Sequence, residues 1–363
     1  MSVQQVENKI PTLFPHNHAS NIVSLRNGDL MCVWFGGSRE GKSDISILCS
    51  RLKKGGNTWS EPVILSSDST RSEQNPILFE NPNGELWLVF TAQDSIHQDS
   101  AVVRYRTSSD GGMTWSDEKT LFDTPGSFVR HPPIILETGE IILPAYYSIK
   151  SDTGFLGKDY SVVKISNDNG ESWNEYPVNN SKSLVHMSIV EGSNNKLIGF
   201  FRSRKADNIY VSISEDYGKN WSTPEKTSLL NNNSSIQCKK LNNGNLAMVF
   251  NNINADLAPP EVNSPPWFDE KDRQSIEVNQ QSEQESIWGV IRSPLTIAIS
   301  EDEGKTWSYV KNIATADKDK KSPEFSYPSI YQTEEGAIHI TYTYLRQCIK
   351  HTVISENCVK NEQ

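Results

Sequence analysis

Residues 108–116 read SSDGGMTWS, and nearly the same nine letters return as SNDNGESWN at 166–174, SEDYGKNWS at 214–222 and SEDEGKTWS at 300–308. The shared pattern is S-x-D-x-G-x-[TSN]-W. In a tight loop the Ser and Asp side chains accept hydrogen bonds from backbone amides, the Gly takes a left-handed conformation, and the Trp ring packs beneath. Each copy follows a stretch alternating between apolar and polar residues: SAVVRYRT, YSVVKIS, NIYVSIS and PLTIAIS. The turn therefore joins two antiparallel strands. The aspartates at 110, 168, 216 and 302 are 58, 48 and 86 residues apart, and a degenerate copy, GGNTWSEP, carries Trp59. Periods of this size mark a repeated supersecondary unit.

Between the copies lies a second unit, an apolar strand, a Gly- or Asn-containing turn and another apolar strand. It occurs six times, as NIVSLRNGDLMCVW, PILFENPNGELWLVF, PPIILETGEIILPAYY, MSIVEGSNNKLIGFF, SIQCKKLNNGNLAMVF and PSIYQTEEGAIHITYTY. Five are followed by a further strand and a polar turn. The sixth is followed by IKHTVI, and its sheet reaches four strands if the N-terminal KIPTLF joins it. The expected fold is all-β, a single six-bladed β-propeller over residues 1–363 built from four-stranded antiparallel blades. The long 86-residue spacing comes from the Pro-rich, acidic segment 254–289, an insertion within the fifth blade. It is read as a surface loop, with a lid or an oligomer-forming arm as alternatives. On this reading the repeated aspartates are architectural and peripheral.

The chain of 363 residues has a net charge of −10 and a mean hydropathy of −0.55, which argues against nucleic acid or an anionic membrane as a partner. No apolar run is long enough to span a bilayer and no signal peptide is seen, so a cytoplasmic location is expected. The five cysteines include no C-x-x-C pair, which disfavours a disulfide framework and a zinc site. With no metal-ligand spacing or nucleotide-binding glycine loop, no cofactor is expected.

In a propeller, the mouth of the central channel collects residues from the start of each inner strand and from the loops after each second strand. The first set comprises His16, Asn17 and His18, then Glu73, Gln74 and Asn75, then Arg130 and His131, His186, residues 231–234, and Tyr327. The second comprises Arg39, Glu40, Asp44, Arg202, Arg204, Arg292 and Arg346. Several arginines to grip an anion, beside His, Tyr and carboxylates to move protons, make a site for a polar, acidic ligand.

The repeated turns, together with HASNIVSLRNGDLMCVWFGGSREGKSD, LLNNNSSIQ and FSYPSIYQTEEGAIHITYTYLRQCIKH, resemble the sialidase superfamily, closest to its Asp-box (BNR-repeat) branch of predicted sialidases. That resemblance implies a carbohydrate ligand. It puts Tyr327 at the family's nucleophile, Arg202 and Arg292 at two of its three carboxylate-binding arginines, and Asp44 at its acid/base, with Glu40 as rival. His18 stands where the family has its first arginine, and His186 where it has the Glu that activates the tyrosine. Arg39, Arg130, His131, Gln74, Asn75 and Arg346 complete the expected ligand-binding set. The resemblance implies a hydrolase releasing a terminal acidic sugar; a lyase acting on uronate-containing glycans and a non-catalytic glycan-binding propeller stand as alternatives.

Overall fold

A computed structural model describes residues 5–66, 68–149, 157–268, 270, 286–316 and 323–361. Six antiparallel sheets follow one another along the chain; five take their strands in sequence order from the axis outward, and the sixth takes its outermost strand from the N-terminus. Their innermost strands begin with His16–Ser24, Ser72–Glu80, Ser127–Val129, Leu184–Glu191, Gln237–Lys240 and Phe325–Gln332. Each inner strand also contacts its neighbours, and the first meets the last, so the six sheets close into a ring as expected.

The ring is fastened by the N-terminal strand Val6–Lys9, which pairs with Cys348–Ile354 from Val6 opposite Val353 to Lys9 opposite Lys350. Closure thus uses VENK rather than the expected KIPTLF. The ladder ends at Ile10, whose N–H donates to Ile349 O at 3.0 Å, because the next residue, Pro11, has no N–H to offer.

Each Asp-box turn joins the third and fourth strands of its blade at the rim. In the second blade, Asp110 Oδ1 accepts from the amides of Met113 (3.0 Å) and Thr114 (2.9 Å), while Ser108 Oγ accepts from Gly112 N at 2.8 Å. The other boxes repeat this, with Asp168, Asp216 and Asp302 each accepting an amide four residues on. Hydrogen bonds from the Thr114 hydroxyl and amide hold the exposed Asp110 carboxyl below the ordinary range. The box glycines also join blades. A Cβ on Gly112 would lie 2.8 Å from Met31, on Gly170 2.8 Å from Trp87, and on Gly304 2.7 Å from Phe200, each on the preceding blade. The repeated turn is therefore a clamp between neighbouring blades.

Between the sheets, apolar clusters such as Val33, Phe35, Leu78, Leu88 and Phe90 fill each wedge; burying one such side chain contributes roughly 1.5–3 kcal/mol. The segment 254–289 connects Leu246–Asn251 to Leu295–Ser300; residues 269 and 271–285 of it lie outside the described residues. Among the described residues no helix is long and apolar enough to cross a membrane.

Candidate functional site

Four inner strands share one irregularity. The pairing register jumps between His18 and Asn21, Gln74 and Ile77, Val185 and Ser188, and Ser326 and Ser329. Each jump is a β-bulge, and its first extra residue has a left-handed backbone: Ala19 (φ 57°), Asn75 (51°), His186 (49°) and Tyr327 (51°). Such a conformation costs a non-glycine residue about 1–2 kcal/mol. The bulge breaks the in-and-out alternation and re-aims a side chain. Consequently His18, Gln74, Asn75, His186 and Tyr327 lie inside the inner strands rather than ahead of them, and Arg202 lies within the strand Leu197–Ser203 rather than in the loop after it.

Tyr327 is the hub. It comes from the sixth blade, yet its ring centre is 4.2 Å from the His18 ring of the first, 5.3 Å from the Arg130 guanidinium of the third, 5.7 Å from Arg202 of the fourth and 5.4 Å from Arg292 of the fifth. A side chain touched from so many blades lies on the axis. Its hydroxyl accepts a 2.8 Å hydrogen bond from Arg202 Nη1. Burial alone would push the phenol pKa up; Arg202, then Arg292 and, more weakly, Arg204 outweigh it against Glu40, and the net displacement is downward.

The arginines divide by what they hold. Arg130 directs Nε to Ser235 Oγ and its Nη donors to the carbonyls of Ser20, Tyr327 and Pro328, so it ties four blades together under the tyrosine. Arg292 and Arg346 are both clamped by Glu324, at 2.7 and 2.9 Å, and Arg346 also pairs with Glu40. Glu324 has its carboxyl pKa brought down to about 2: burial opposes, but Arg346 and Arg292 prevail. Arg204 pairs with Asp159. Among the described residues no carboxylate pairs with Arg202. Its Nε goes to Asn233 Oδ1 at 2.9 Å, and Nη2, buried, has no partner. Five guanidiniums face three carboxylates here, in a protein whose overall charge is −10.

Burial first, then the surrounding arginines, hold His18 and His186 well below the ordinary imidazole pKa, and burial with Arg130 does the same to His131. His186 Nδ1 lies 3.4 Å from Arg202 Nη1, and since arginine only donates, Nδ1 accepts and the proton sits on Nε2, 3.4 Å from Tyr146 OH. The His186 and Tyr327 rings are 5.6 Å apart and nearly perpendicular. His18 Nδ1 meets Thr343 Oγ1 at 2.9 Å while its Nε2 has no partner, and neither ring nitrogen of His131 has one.

Of the two candidate acids, Glu40 is buried against Arg346 and its charge reaches Tyr327, whereas Asp44 is exposed and ties its own loop by accepting from Ser38 N and Oγ at 3.1 and 2.9 Å. Arg39 is half-buried on the same loop. Gln74 and Asn75 are buried in the second blade, Gln74 donating to Ser72 Oγ at 2.9 Å. Glu324, Asp159 and Trp288 were not singled out from sequence; Glu324 bridges to Arg292 across two blades, a pairing without local signature. Among the described residues no three His, Cys, Asp or Glu side chains converge as a metal-binding set.

A family model described as BNR repeat-like domain matches residues 28–340. The fold resembles the Hadza microbial sialidase Hz136 (TM-score 0.72, 15% identity), covering 95% of this chain and 66% of that one. It resembles equally a Dyadobacter fermentans protein of unknown function (0.72, 14%), with 98% of each chain covered. It also resembles the intramolecular trans-sialidase of Ruminococcus gnavus (0.66, 13%), with 96% of each covered. The sequence matches none of the curated proteins. These likenesses concern the fold, and the chain spans about two thirds of the Hadza sialidase.

Proposed function

The chain belongs to the BNR repeat-like domain family, and we propose that it is a glycoside hydrolase of sialidase type, releasing a terminal acidic sugar. One observation carries this reading: a buried tyrosine on the channel axis whose hydroxyl is held by an arginine that retains an unpartnered, buried donor. The named sialidases and trans-sialidases of the same fold support an acidic sugar as ligand.

In this mechanism the sugar carboxylate binds Arg202 through its open Nη2, with Arg292 alongside. Drawing Arg202 toward the carboxylate frees His186 Nδ1, which takes the phenol proton. Tyr327 Oη then attacks the anomeric carbon, the glycosidic C–O bond breaks, and the leaving oxygen receives a proton from Asp44 or Glu40. A water oxygen then replaces Tyr327 at the same carbon, one water proton passes to the carboxylate that had served as acid, and the proton held by His186 returns to the departing phenolate. Burial opposes, but the neighbouring arginines lower the phenol pKa of Tyr327, which favours its phenolate as the nucleophile.

A second reading is favoured by one observation: among the described residues no carboxylate hydrogen-bonds to Tyr327, whose hydroxyl meets Arg202. In a uronate lyase, the phenolate removes the proton next to the sugar carboxylate, Arg202 neutralises that acid, and the glycosidic C–O bond breaks by elimination. Mass spectrometry of products from sialylated and uronate-containing oligosaccharides separates the two. Hydrolysis adds the mass of water across the fragments, elimination does not, and saturable binding without product leaves a glycan-binding propeller.

A further inference from the structure

The described parts of the 254–289 segment lie over the site. Ala255 N donates to Ala206 O at 2.9 Å and Ile287 N to Arg204 O at 2.8 Å, while the Asn233 and Asn232 amides donate to Ile287 O and Ile291 O, each at 2.8 Å. The segment is thus stitched to the fourth and fifth blades beside Arg202. Its Trp267, Phe268 and Trp288 form a buried cluster of their own, with the two indoles 5.2 Å apart and perpendicular. The Trp288 ring covers the guanidiniums of Arg204, at 4.9 Å, and Arg202, at 5.6 Å.

The other side of this cluster packs on Ile96. Ile96 lies in the turn between Leu86–Asp94 and His97–Ser108, on the second blade. In a closed ring of six, the second and fifth blades are opposite. A segment that leaves the fifth blade, covers Arg202 near the axis and packs on the second blade crosses the mouth along a diameter. The Glu40 loop of the first blade abuts the same contact, since a Cβ on Gly41 would lie 2.9 Å from Ile96 Cγ2. The groups beneath are almost sealed, Tyr327 at 6% and Arg202 at 1% exposure.

We propose that this aromatic bridge sets the size of the ligand: Trp267, Phe268 and Trp288, resting on Ile96, restrict the site to a free acidic saccharide of two or three sugar units and reject chain ends carried on a macromolecule. This rests on the acidic-sugar reading above. A bulky glycan needs an open cleft leading away from the reacting residue, and the bridge occupies that path.

The test compares turnover of sialyllactose with that of a sialylated glycoprotein, and of a glucuronate disaccharide with that of a uronate polysaccharide, in wild type and in Ile96→Lys. Ile96 is half-buried on a turn outside the catalytic group, and a charge there detaches the bridge while leaving the blade intact. The wild type is expected to favour the small member of a pair at least tenfold, and Ile96→Lys to shrink that preference at least fivefold. Equal turnover of both in wild type, or an unchanged preference in the variant, overturns the proposal. Should none of the four be turned over, the acidic-sugar reading fails by itself, and a ligand-free measurement still judges the bridge. A thiol placed by Asn75→Cys on the second-blade bulge is alkylated with iodoacetamide or with a fluorescein maleimide and quantified by peptide mass spectrometry. The bulky reagent is expected to lag the small one at least tenfold, and the lag to shrink when Ile96→Lys is added; no lag, or the same lag in both, overturns the bridge.

Discussion

Arg202 Nη1 donates to the hydroxyl of Tyr327 across 2.8 Å, joining the second strand of the fourth blade to the inner strand of the sixth. This contact stabilises the phenolate form, while Arg202 Nη2 stays buried without a hydrogen-bond partner. Tyr327→Phe is expected to lower kcat by at least about a thousandfold, as loss of a nucleophile does, while changing the ligand Kd little. Arg202→Lys keeps a charge but loses the fork, so Kd rises and the ultraviolet titration of Tyr327 moves to higher pH. A Tyr327→Phe variant with full turnover refutes the mechanism.

Glu324 joins Arg292 and Arg346. Glu324→Gln leaves the buried Arg292 without its carboxylate and the half-buried Arg346 with Glu40 alone, a defect expected to cost up to about 3–5 kcal/mol. Urea unfolding at pH 7 measures it. A loss below 1 kcal/mol means that Glu40 and water compensate. Because the Glu324 pKa is lowered to about 2, the stability it gives wild type is present above the unfolded carboxyl pKa and is lost as pH falls toward 2.

The fold was legible because its signals are local. Each Asp box carries its own hydrogen-bond set within a few residues, and each hairpin its own apolar alternation, so counting units gave the ring. The closing strand was misplaced because Val6–Lys9 is largely exposed and lacks alternation, while the more apolar KIPTLF next to it contains the proline that ends the ladder. In the candidate site, position within the repeat pointed to Tyr327, Arg202 and His186, which the fold brings together. The bulges that aim them were not visible, since Ala19, Asn75, His186 and Tyr327 share a backbone conformation and no residue type. Glu324 reads as one more surface charge in SPEFS; only the docking of two separate blades makes it a clamp.

A histidine pair predicts acid sensitivity away from the channel. Trp59 Nε1 donates to His351 Nδ1 at 3.2 Å, so the His351 proton is on Nε2, which donates to His339 Nδ1 at 2.9 Å. Burial lowers the pKa of His339 to about 4 and, helped by His339, that of His351 to about 3. Between the unfolded value near 6.5 and these values, the unfolded chain binds protons that the native chain does not. Stability is therefore full above pH 6.5 and falls as pH drops toward 4, by up to about 1.4 kcal/mol per pH unit for each histidine. The double variant His339→Gln with His351→Gln is expected to show a shallower fall in urea midpoints from pH 6.5 to 4.5; an unchanged slope assigns the effect elsewhere.

Two glycines separate backbone strain from blade packing. Gly244, in a hairpin turn, has φ +91° and open space where a Cβ would stand; Gly304, in the last Asp box, has φ +83° and Phe200 Cζ at 2.7 Å. Alanine at either position incurs the left-handed penalty of about 1 kcal/mol. At Gly304 it also pushes a methyl into a ring of the fourth blade, adding about 1–3 kcal/mol of overpacking. Gly304→Ala is therefore expected to lower the urea midpoint further than Gly244→Ala, and Gly304→Ala with Phe200→Leu to recover part of the difference, because the smaller side chain makes room. Equal losses in the two single variants would mean that the box glycine serves its turn alone, and that the Asp boxes do not clamp the blades.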